Sequence, residues 1–161
     1  MFLGIISDTH GNAPLVFEAV HQFKKFHVSQ IIHCGDIGTA EVVRLFTEIP
    51  TDFVFGNCDT MRETLKQVIL ESGQKCHGDF GSLTREGKKI AFLHGHQQRR
   101  FQTELESGNW DLICFGHSHQ AEFSTIGKTY ILNPGALYRV ITPTAAILQV
   151  PEMEIRQIPL V

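Results

Sequence analysis

Aspartate and histidine recur along this sequence in short clusters that each contain a glycine or adjoin one. The clusters are Asp8-Thr9-His10-Gly11, Gly35-Asp36, Gly56-Asn57-Cys58-Asp59, His94-Gly95-His96 and Gly116-His117-Ser118-His119. Imidazole nitrogen combined with carboxylate and amide oxygen suits zinc, iron or manganese. The four cysteines form no C-x-x-C pair, which argues against a structural zinc site. The clusters therefore indicate a site where a metal ion does chemistry.

The number of candidate ligands exceeds what one tetrahedral ion needs. These candidates are Asp8, His10, Asp36, Asn57, His94, His117 and His119. Such a set suits two ions that share a carboxylate. Two metals roughly 3.5–4 Å apart stabilise both the attacking and the leaving oxygen of an in-line displacement. Phosphoester hydrolysis is the reaction class that follows most directly.

In the first half of the chain, predicted strands alternate with predicted helices, which favours βαβ units and a parallel sheet. Apolar runs predict strands at 2–6, Gln30–His33 and Asp52–Phe55. Helices are predicted from Asn12 to about His27, over Thr39–Ile49, and from a capping box at Thr60 and Glu63 to near Gly73.

The second half is richer in strands. One hairpin is predicted at Phe80–Thr84 with Lys88–Leu93, and a second at Glu122–Thr125 with Thr129–Leu132. A helix is predicted at Arg99–Glu106. Single strands are predicted at Leu112–Phe115, Thr144–Val150 and Glu154–Ile158. Ten or so strands are many for one twisted open sheet. We therefore expect residues 1–161 to form one domain of two packed sheets with helices outside.

The polar clusters follow the predicted strands, and in open α/β sheets the site lies outside the carboxyl ends of the strands. We therefore expect the clusters to converge on one crevice. His117 and His119 would face opposite sides of a regular strand. They can share a site only if the chain leaves the strand at Gly116. His33 lies inside a buried strand and is expected either in the core or behind a metal ligand, whereas His21, His27 and His77 are expected at the surface.

In order and spacing, these motifs resemble the calcineurin-like metallophosphoesterases, and in overall length the chain is similar to their small YfcE-like phosphodiesterase branch. Asn133-Pro134-Gly135 is similar to a later loop of that branch. The resemblance implies an α/β fold, a four-layer αββα sandwich of two mixed β-sheets flanked by helices. It also implies a dinuclear metal-dependent phosphoesterase, a phosphodiesterase in preference to a phosphomonoesterase.

The resemblance further implies a division of the ligands in which Asp36 bridges the two metals. One ion would be held by Asp8, His10, Asp36 and His119, and the other by Asp36, Asn57, His94 and His117. A metal-bridging hydroxide would attack phosphorus. Mn²⁺ is the first expectation for both ions, with Ni²⁺, Fe or Zn²⁺ as alternatives.

At two positions the chain departs from the pattern of the larger family members. Cys58 stands where they have a histidine that is thought to protonate the leaving group, and a thiol is a poorer acid at neutral pH. We therefore expect slow or leaving-group-selective activity. A nearby dication would lower the pKa of this thiol, which makes Cys58 a candidate ligand or oxidation target as well. Ala136 replaces the more usual serine and removes one hydroxyl that could meet the substrate.

The remaining site candidates surround the ligands. His96 could support a ligand from behind, act as an acid, contact the substrate or be a structural residue. The catalytic candidates are Asp36, Asn57, Cys58 and His96. Asp59 is interpreted as a residue that orients a ligand from behind. Arg99 and Arg139 are candidates for binding substrate phosphate, although solvated arginines are the commoner case.

Composition excludes several other classes. A net charge of -3 predicts no affinity for duplex nucleic acid. No apolar run is long enough to span a bilayer and the N-terminus lacks a signal-peptide pattern, so we expect a soluble cytoplasmic protein acting on a small phosphoester. Apolar strand edges are compatible with a homo-oligomer. The rival hypotheses are a metal-binding interaction scaffold, as in the retromer subunit that resembles this family, and a metal-dependent hydrolase of a non-phosphorus substrate.

Overall fold

The computed structural model describes all residues from 1 to 161. Its helices are α1 (Ala13–Lys25), α2 (Ala40–Arg44), α3 (Arg62–Glu71) and α4 (Gln98–Ser107). Its strands are β1 (Phe2–Ile6), β2 (Gln30–His33), β3 (Thr51–Phe53), β4 (Lys75–Cys76), β5 (Phe80–Arg85), β6 (Lys88–Leu93), β7 (Leu112–Cys114), β8 (Glu122–Ile126), β9 (Thr129–Asn133), β10 (Thr144–Gln149) and β11 (Glu154–Pro159).

The strands form two mixed sheets. The first has the order β11-β10-β1-β2-β3-β4, in which β1 to β4 are parallel and β10 and β11 are antiparallel to their neighbours. The second has the order β5-β6-β7-β9-β8, with β6, β7 and β9 parallel and an antiparallel strand at each edge. The parallel strands of both sheets end at the same side of the molecule, where the ligand clusters lie.

Three apolar layers hold the two sheets and the helices together. The largest core lies between the first sheet and helices α1 to α3, and contains Phe23, Phe46 and Phe53. A second core, with Leu3 and Phe92, lies between the two sheets. A smaller third core packs α4 against the outer face of the second sheet. This stacking is the αββα sandwich that the family resemblance implied.

Two helices differ locally from the predicted elements. Helix α2 ends at Arg44 instead of Ile49, and the residues after it form tight turns in which the amides of Leu45 and Phe46 bond to the carbonyls three residues before them. Helix α3 begins one residue later than predicted, with Met61 at its N-cap and no side-chain cap, so the predicted capping box at Thr60 and Glu63 is wrong.

Two further predictions at the first sheet are corrected. Strand β3 covers Thr51–Phe53 instead of Asp52–Phe55, and the two-residue strand β4 after it was not foreseen. His77, expected at the surface, is half-buried, and its Nε2 lies 2.7 Å from Oδ1 of Asp52.

No helix is long and apolar enough to cross a membrane. The longest helix, α1, has 13 residues, whereas roughly 20 are needed.

Candidate metal centre

The ligand loops leave their strands through left-handed backbone conformations. Five residues other than glycine have positive φ values in these loops: Asp8 (53°), His10 (42°), Asp36 (54°), His117 (69°) and His119 (59°). Such conformations are uncommon for residues other than glycine and concentrate at functional sites. They turn the chain sharply after β1, β2 and β7. As a result His117 and His119 do not alternate as they would along a strand.

These turns bring carboxylates and imidazoles from both sheets to one point. Oδ2 of Asp36 lies 3.4 Å from Nε2 of His10 and 3.2 Å from Nε2 of His94. Oδ1 of Asp8 lies 3.2 Å from Nε2 of His119, 3.8 Å from that of His10 and 3.9 Å from that of His94. Asp36 therefore lies between the histidines that were assigned to the two different metals.

Several buried polar atoms in this cluster have no hydrogen-bond partner. They are Oδ1 of Asp8 and Nε2 of both His10 and His94. A buried polar atom without a partner costs about 1–3 kcal/mol, so three of them facing one another need an explanation. Each is an electron-pair donor, and a divalent cation between them would satisfy all three. The residues present therefore fit a metal site.

The donor atoms form three overlapping groups, within each of which all atoms lie inside 4.8 Å of one another. The groups are Asp8 with His10 and His119, Asp8 with Asp36 and His94, and His10 with Asp36 and Cys58. The first group lies within the set predicted for one metal, and the second combines ligands predicted for both metals with the predicted bridge Asp36. The third places the thiol of Cys58 at the same point.

Two predicted ligands lie further out. The ring of His117 is exposed, with its centroid 5.2 Å from that of His94. The side chain of Asn57 is also exposed, and its only hydrogen bond is from Nδ2 to Sγ of Cys58 at 3.6 Å. His96 is half-buried beside the cluster, 5.4 Å from the His94 ring, and its Nδ1 has no partner.

Hydrogen bonds from outside the cluster fix the orientation of its ligands. Nδ1 of His94 lies 2.8 Å from the carbonyl oxygen of Cys34 and must donate to it, so that Nε2 presents its lone pair to the cluster. The hydroxyl of Ser7 donates to Oδ2 of Asp8 at 2.7 Å. The amide of Cys58 donates to Oδ1 of Asp36 at 2.8 Å. Ser7, which the sequence motifs did not single out, is thus part of the site.

Asp59 holds the loops and makes no hydrogen bond to a ligand side chain. Its carboxylate accepts hydrogen bonds from the amides of Gly38 at 3.1 Å and Gly56 at 2.8 Å. It therefore ties together the loops that follow β2 and β3. Gly56 has no room for a side chain, because an added Cβ would lie 2.0 Å from Oδ1 of Asp36.

The electrostatics favour charged carboxylates in the cluster. Burial alone would raise the pKa of Asp36, but the neighbouring His94 imidazole and the amide of Cys58 outweigh it and hold that pKa well below its usual value. The pKa of Asp8 is lowered in the same way against the effect of burial, chiefly by His10 and His94. Burial and the charge of Asp36 raise the pKa of the Cys58 thiol. Burial beside His94 and His117 lowers the pKa of His96.

A loop after β9 closes one side of the site. Asn133 is fully buried, and its Nδ2 donates to the carbonyl of Gly116 at 3.1 Å and to the hydroxyl of Ser118 at 3.0 Å. Tyr138 lies against His10 with ring centroids 4.7 Å apart. No spacing in the sequence indicated this contact, which depends on the folded path of the loop.

The two candidate arginines are placed differently. The guanidinium carbon of Arg139 lies 5.1 Å from the ring centroid of Tyr138, and the Tyr138 ring in turn packs against His10. Arg99 lies on α4 with an exposed side chain that makes no ion pair or hydrogen bond. The structure thus places Arg139, and not Arg99, in contact with a residue that touches the cluster.

The sequence pattern of the calcineurin-like phosphoesterase superfamily domain matches residues 1–153. The chain therefore belongs to this superfamily of metal-dependent phosphoesterases, in the small branch that the sequence motifs indicated.

Among its relatives is phosphodiesterase MJ0936 of Methanocaldococcus jannaschii, which is 31% identical and aligned over 98% of both chains. The solved structure of an archaeal phosphodiesterase, also 31% identical, superposes with a TM-score of 0.92 over 99% of this chain and 100% of that one. YfcE, a phosphoesterase of E. coli, is 18% identical with a TM-score of 0.73 over the whole of both chains, which supports the fold alone. These similarities confirm the predicted fold and family.

Proposed function

We propose that this protein is a dinuclear metal-dependent phosphodiesterase. The observation that carries the proposal is the set of buried, unpartnered donor atoms on Asp8, His10 and His94, which face one another at the strand ends. Membership of the superfamily supports hydrolysis of a phosphoester. The phosphodiesterase relative, aligned over nearly the whole chain, supports a diester substrate.

We assign one metal to Asp8, His10, Asp36 and His119, and the other to Asp36, Asn57, His94 and His117. The position of Asp36 between His10 and His94 supports its role as the bridge. Two divalent ions, Mn²⁺ in the first instance and Ni²⁺, Fe or Zn²⁺ as alternatives, would supply Lewis-acid charge to the phosphoryl oxygens. Both sheets contribute ligands, which supports one functional domain over residues 1–161.

Around the ligands, the chain supplies groups to handle the substrate and its proton. Cys58 and His96 are the candidates for giving a proton to the leaving group. A thiol is a poorer acid than imidazolium at neutral pH, so Cys58 would release its proton reluctantly. We therefore expect diesters with good leaving groups to be preferred. All four cysteines are unpaired, which supports a reducing, cytoplasmic setting.

The test is hydrolysis of bis-p-nitrophenyl phosphate by metal-stripped protein, with and without Mn²⁺, compared with p-nitrophenyl phosphate. We expect activity only with metal, and faster cleavage of the diester. His119→Ala should abolish turnover, whereas His21→Ala, a matched change at an exposed histidine on α1, should not alter it. No turnover with Mn²⁺, Ni²⁺, Zn²⁺ or Fe²⁺ would overturn the proposal.

A further inference from the structure

Strand β8 is an open edge of the second sheet. It pairs with β9 on one side only, and every residue from Glu122 to Ile126 is exposed. Two of these side chains, Phe123 and Ile126, are large and apolar, with 38% and 49% of their surface exposed. A free edge with apolar side chains is a template for pairing with another strand.

The other sheet edges carry features that discourage such pairing. Strand β4 has only two residues. Strand β11 carries Glu154 and Arg156 and ends in Pro159, and charges and proline are common protections of an edge. On β5, the guanidinium of Arg100 from α4 lies 4.8 Å from the ring centroid of Phe80. Strands β5 and β8 both lack a proline or a charge between their ends, but only Ser82 and Thr84 of β5 are exposed, whereas all five residues of β8 are exposed.

The hydrogen bonding of β9 shows which backbone groups of β8 are free. Tyr130 and Leu132 of β9 bond through their backbones toward β7. The direction of the backbone groups alternates along a strand, so Thr129, Ile131 and Asn133 of β9 bond toward β8. Their partners are Ile126, Ser124 and Glu122, the fifth, third and first residues of β8. The N–H and C=O groups of the second and fourth residues, Phe123 and Thr125, therefore point to the open edge.

We propose that two copies of this chain associate through β8, pairing antiparallel about a two-fold axis at Ser124. This is the symmetric register in which all five residues find a partner. Phe123 of each copy then lies opposite Thr125 of the other, and each such pair exchanges hydrogen bonds in both directions through the groups that are free in the monomer. An aromatic residue opposite a β-branched one is a favourable cross-strand pair.

Charge and polarity favour a second copy as the occupant. In this register Glu122 of one copy lies opposite Ile126 of the other, and Lys128 belongs to the turn that follows Ile126. Each end of the interface therefore has an acidic residue of one copy and a basic residue of the other. A parallel arrangement would instead place Glu122 beside Glu122, which is unfavourable. The sequence is therefore self-complementary only in the antiparallel sense.

The primary test is the mass of the protein in solution, measured by sedimentation across micromolar concentrations. We expect the wild type to have twice the mass of one chain. Thr125→Pro removes an N–H that points outward and should leave the β9 ladder intact, so this variant should be monomeric. Thr125→Val keeps the N–H and should remain dimeric. Circular dichroism and metal content should show that both variants are folded. A monomeric wild type, a dimeric Thr125→Pro variant or a monomeric Thr125→Val variant would overturn the proposal.

A charge exchange tests the register. Glu122→Lys and Lys128→Glu should each raise the dimer dissociation constant several-fold, and the double variant should restore it toward the wild-type value. If the double variant is no tighter than either single variant, the pairing about Ser124 is wrong.

Discussion

The ring nitrogen Nε2 of His33 lies 3.0 Å from the hydroxyl oxygen of Thr9, directly behind the loops that carry the candidate ligands. The amide of Gly35 donates to Nδ1 of the same ring at 3.2 Å, so Nδ1 accepts and Nε2 carries the proton. The Thr9 hydroxyl donates onward to the carbonyl of Ile37 at 2.9 Å. A neutral imidazole therefore links the chain after β1 to the chain after β2.

This arrangement predicts a pH dependence of stability. Complete burial lowers the pKa of His33 from 6.5 to about 3. Between these values the unfolded chain binds a proton that the folded chain excludes, so the free energy of unfolding should fall as the pH falls, by up to about 1.4 kcal/mol per pH unit. Urea unfolding of chelator-treated protein between neutral pH and pH 5 measures this slope. Glutamine does not titrate, so the slope for His33→Gln should correspond to about one proton fewer taken up on unfolding. Equal slopes for the two proteins would contradict the role of His33.

A second prediction separates the bridging carboxylate from a ligand of one metal. Asp36→Asn removes the charge between His10 and His94, and should prevent binding of both ions and lower turnover by at least about a hundredfold. Asn57→Ala should lower the content of one ion only. Elemental analysis after equilibration with Mn²⁺ gives the two stoichiometries. Full metal content in Asp36→Asn would exclude the bridge.

A third prediction concerns the loop of His117 and His119. Asn133→Ala removes the hydrogen bonds to Gly116 and Ser118, and should reduce metal affinity by about 10–100-fold because the ligand loop loses its support. Asn109→Ala, at an exposed position after α4, is the matched control and should bind metal normally. Titration with Mn²⁺ monitored by calorimetry distinguishes the two. Equal affinities would show that the loop is held by other contacts.

The candidate arginines give a fourth prediction. Arg139 lies over Tyr138, which contacts His10, whereas Arg99 makes no such contact. Arg139→Ala should therefore raise KM for bis-p-nitrophenyl phosphate several-fold with a smaller effect on kcat, and Arg99→Ala should change neither. Steady-state kinetics with Mn²⁺ measure both values. A larger KM change in Arg99→Ala would assign the substrate contact to α4 instead.

The fold and the site differ in how far the sequence predicts them. Strand periodicity and the position of each polar cluster after a strand are local features, and they correctly predicted the sandwich and the end of the sheets where the clusters meet. The contacts of Asp59 with Gly38, and of Tyr138 with His10, join residues far apart in the chain, and no local pattern reports them. Strand β4 was missed for a related reason, since two residues are too few to show a period.

The close packing at Gly116 gives a final prediction. A Cβ added there would lie 1.9 Å from the hydroxyl oxygen of Ser7 and 2.5 Å from Oδ2 of Asp8, both of which are fully buried. Gly116→Ala must therefore displace Asp8. We expect a loss of about 1–3 kcal/mol of stability from overpacking, together with loss of metal binding.

Gly73→Ala separates these two effects. That glycine has φ of 72° and nothing within 4 Å of an added Cβ, so the change strains the backbone far from the ligands. The variant should lose stability yet bind Mn²⁺ as the wild type does. Urea unfolding and metal titration of the two variants supply the comparison. Gly116→Ala could instead lose only as much stability as Gly73→Ala and bind Mn²⁺ with wild-type affinity. That result would show that the position of Asp8 does not depend on the absence of a side chain at Gly116.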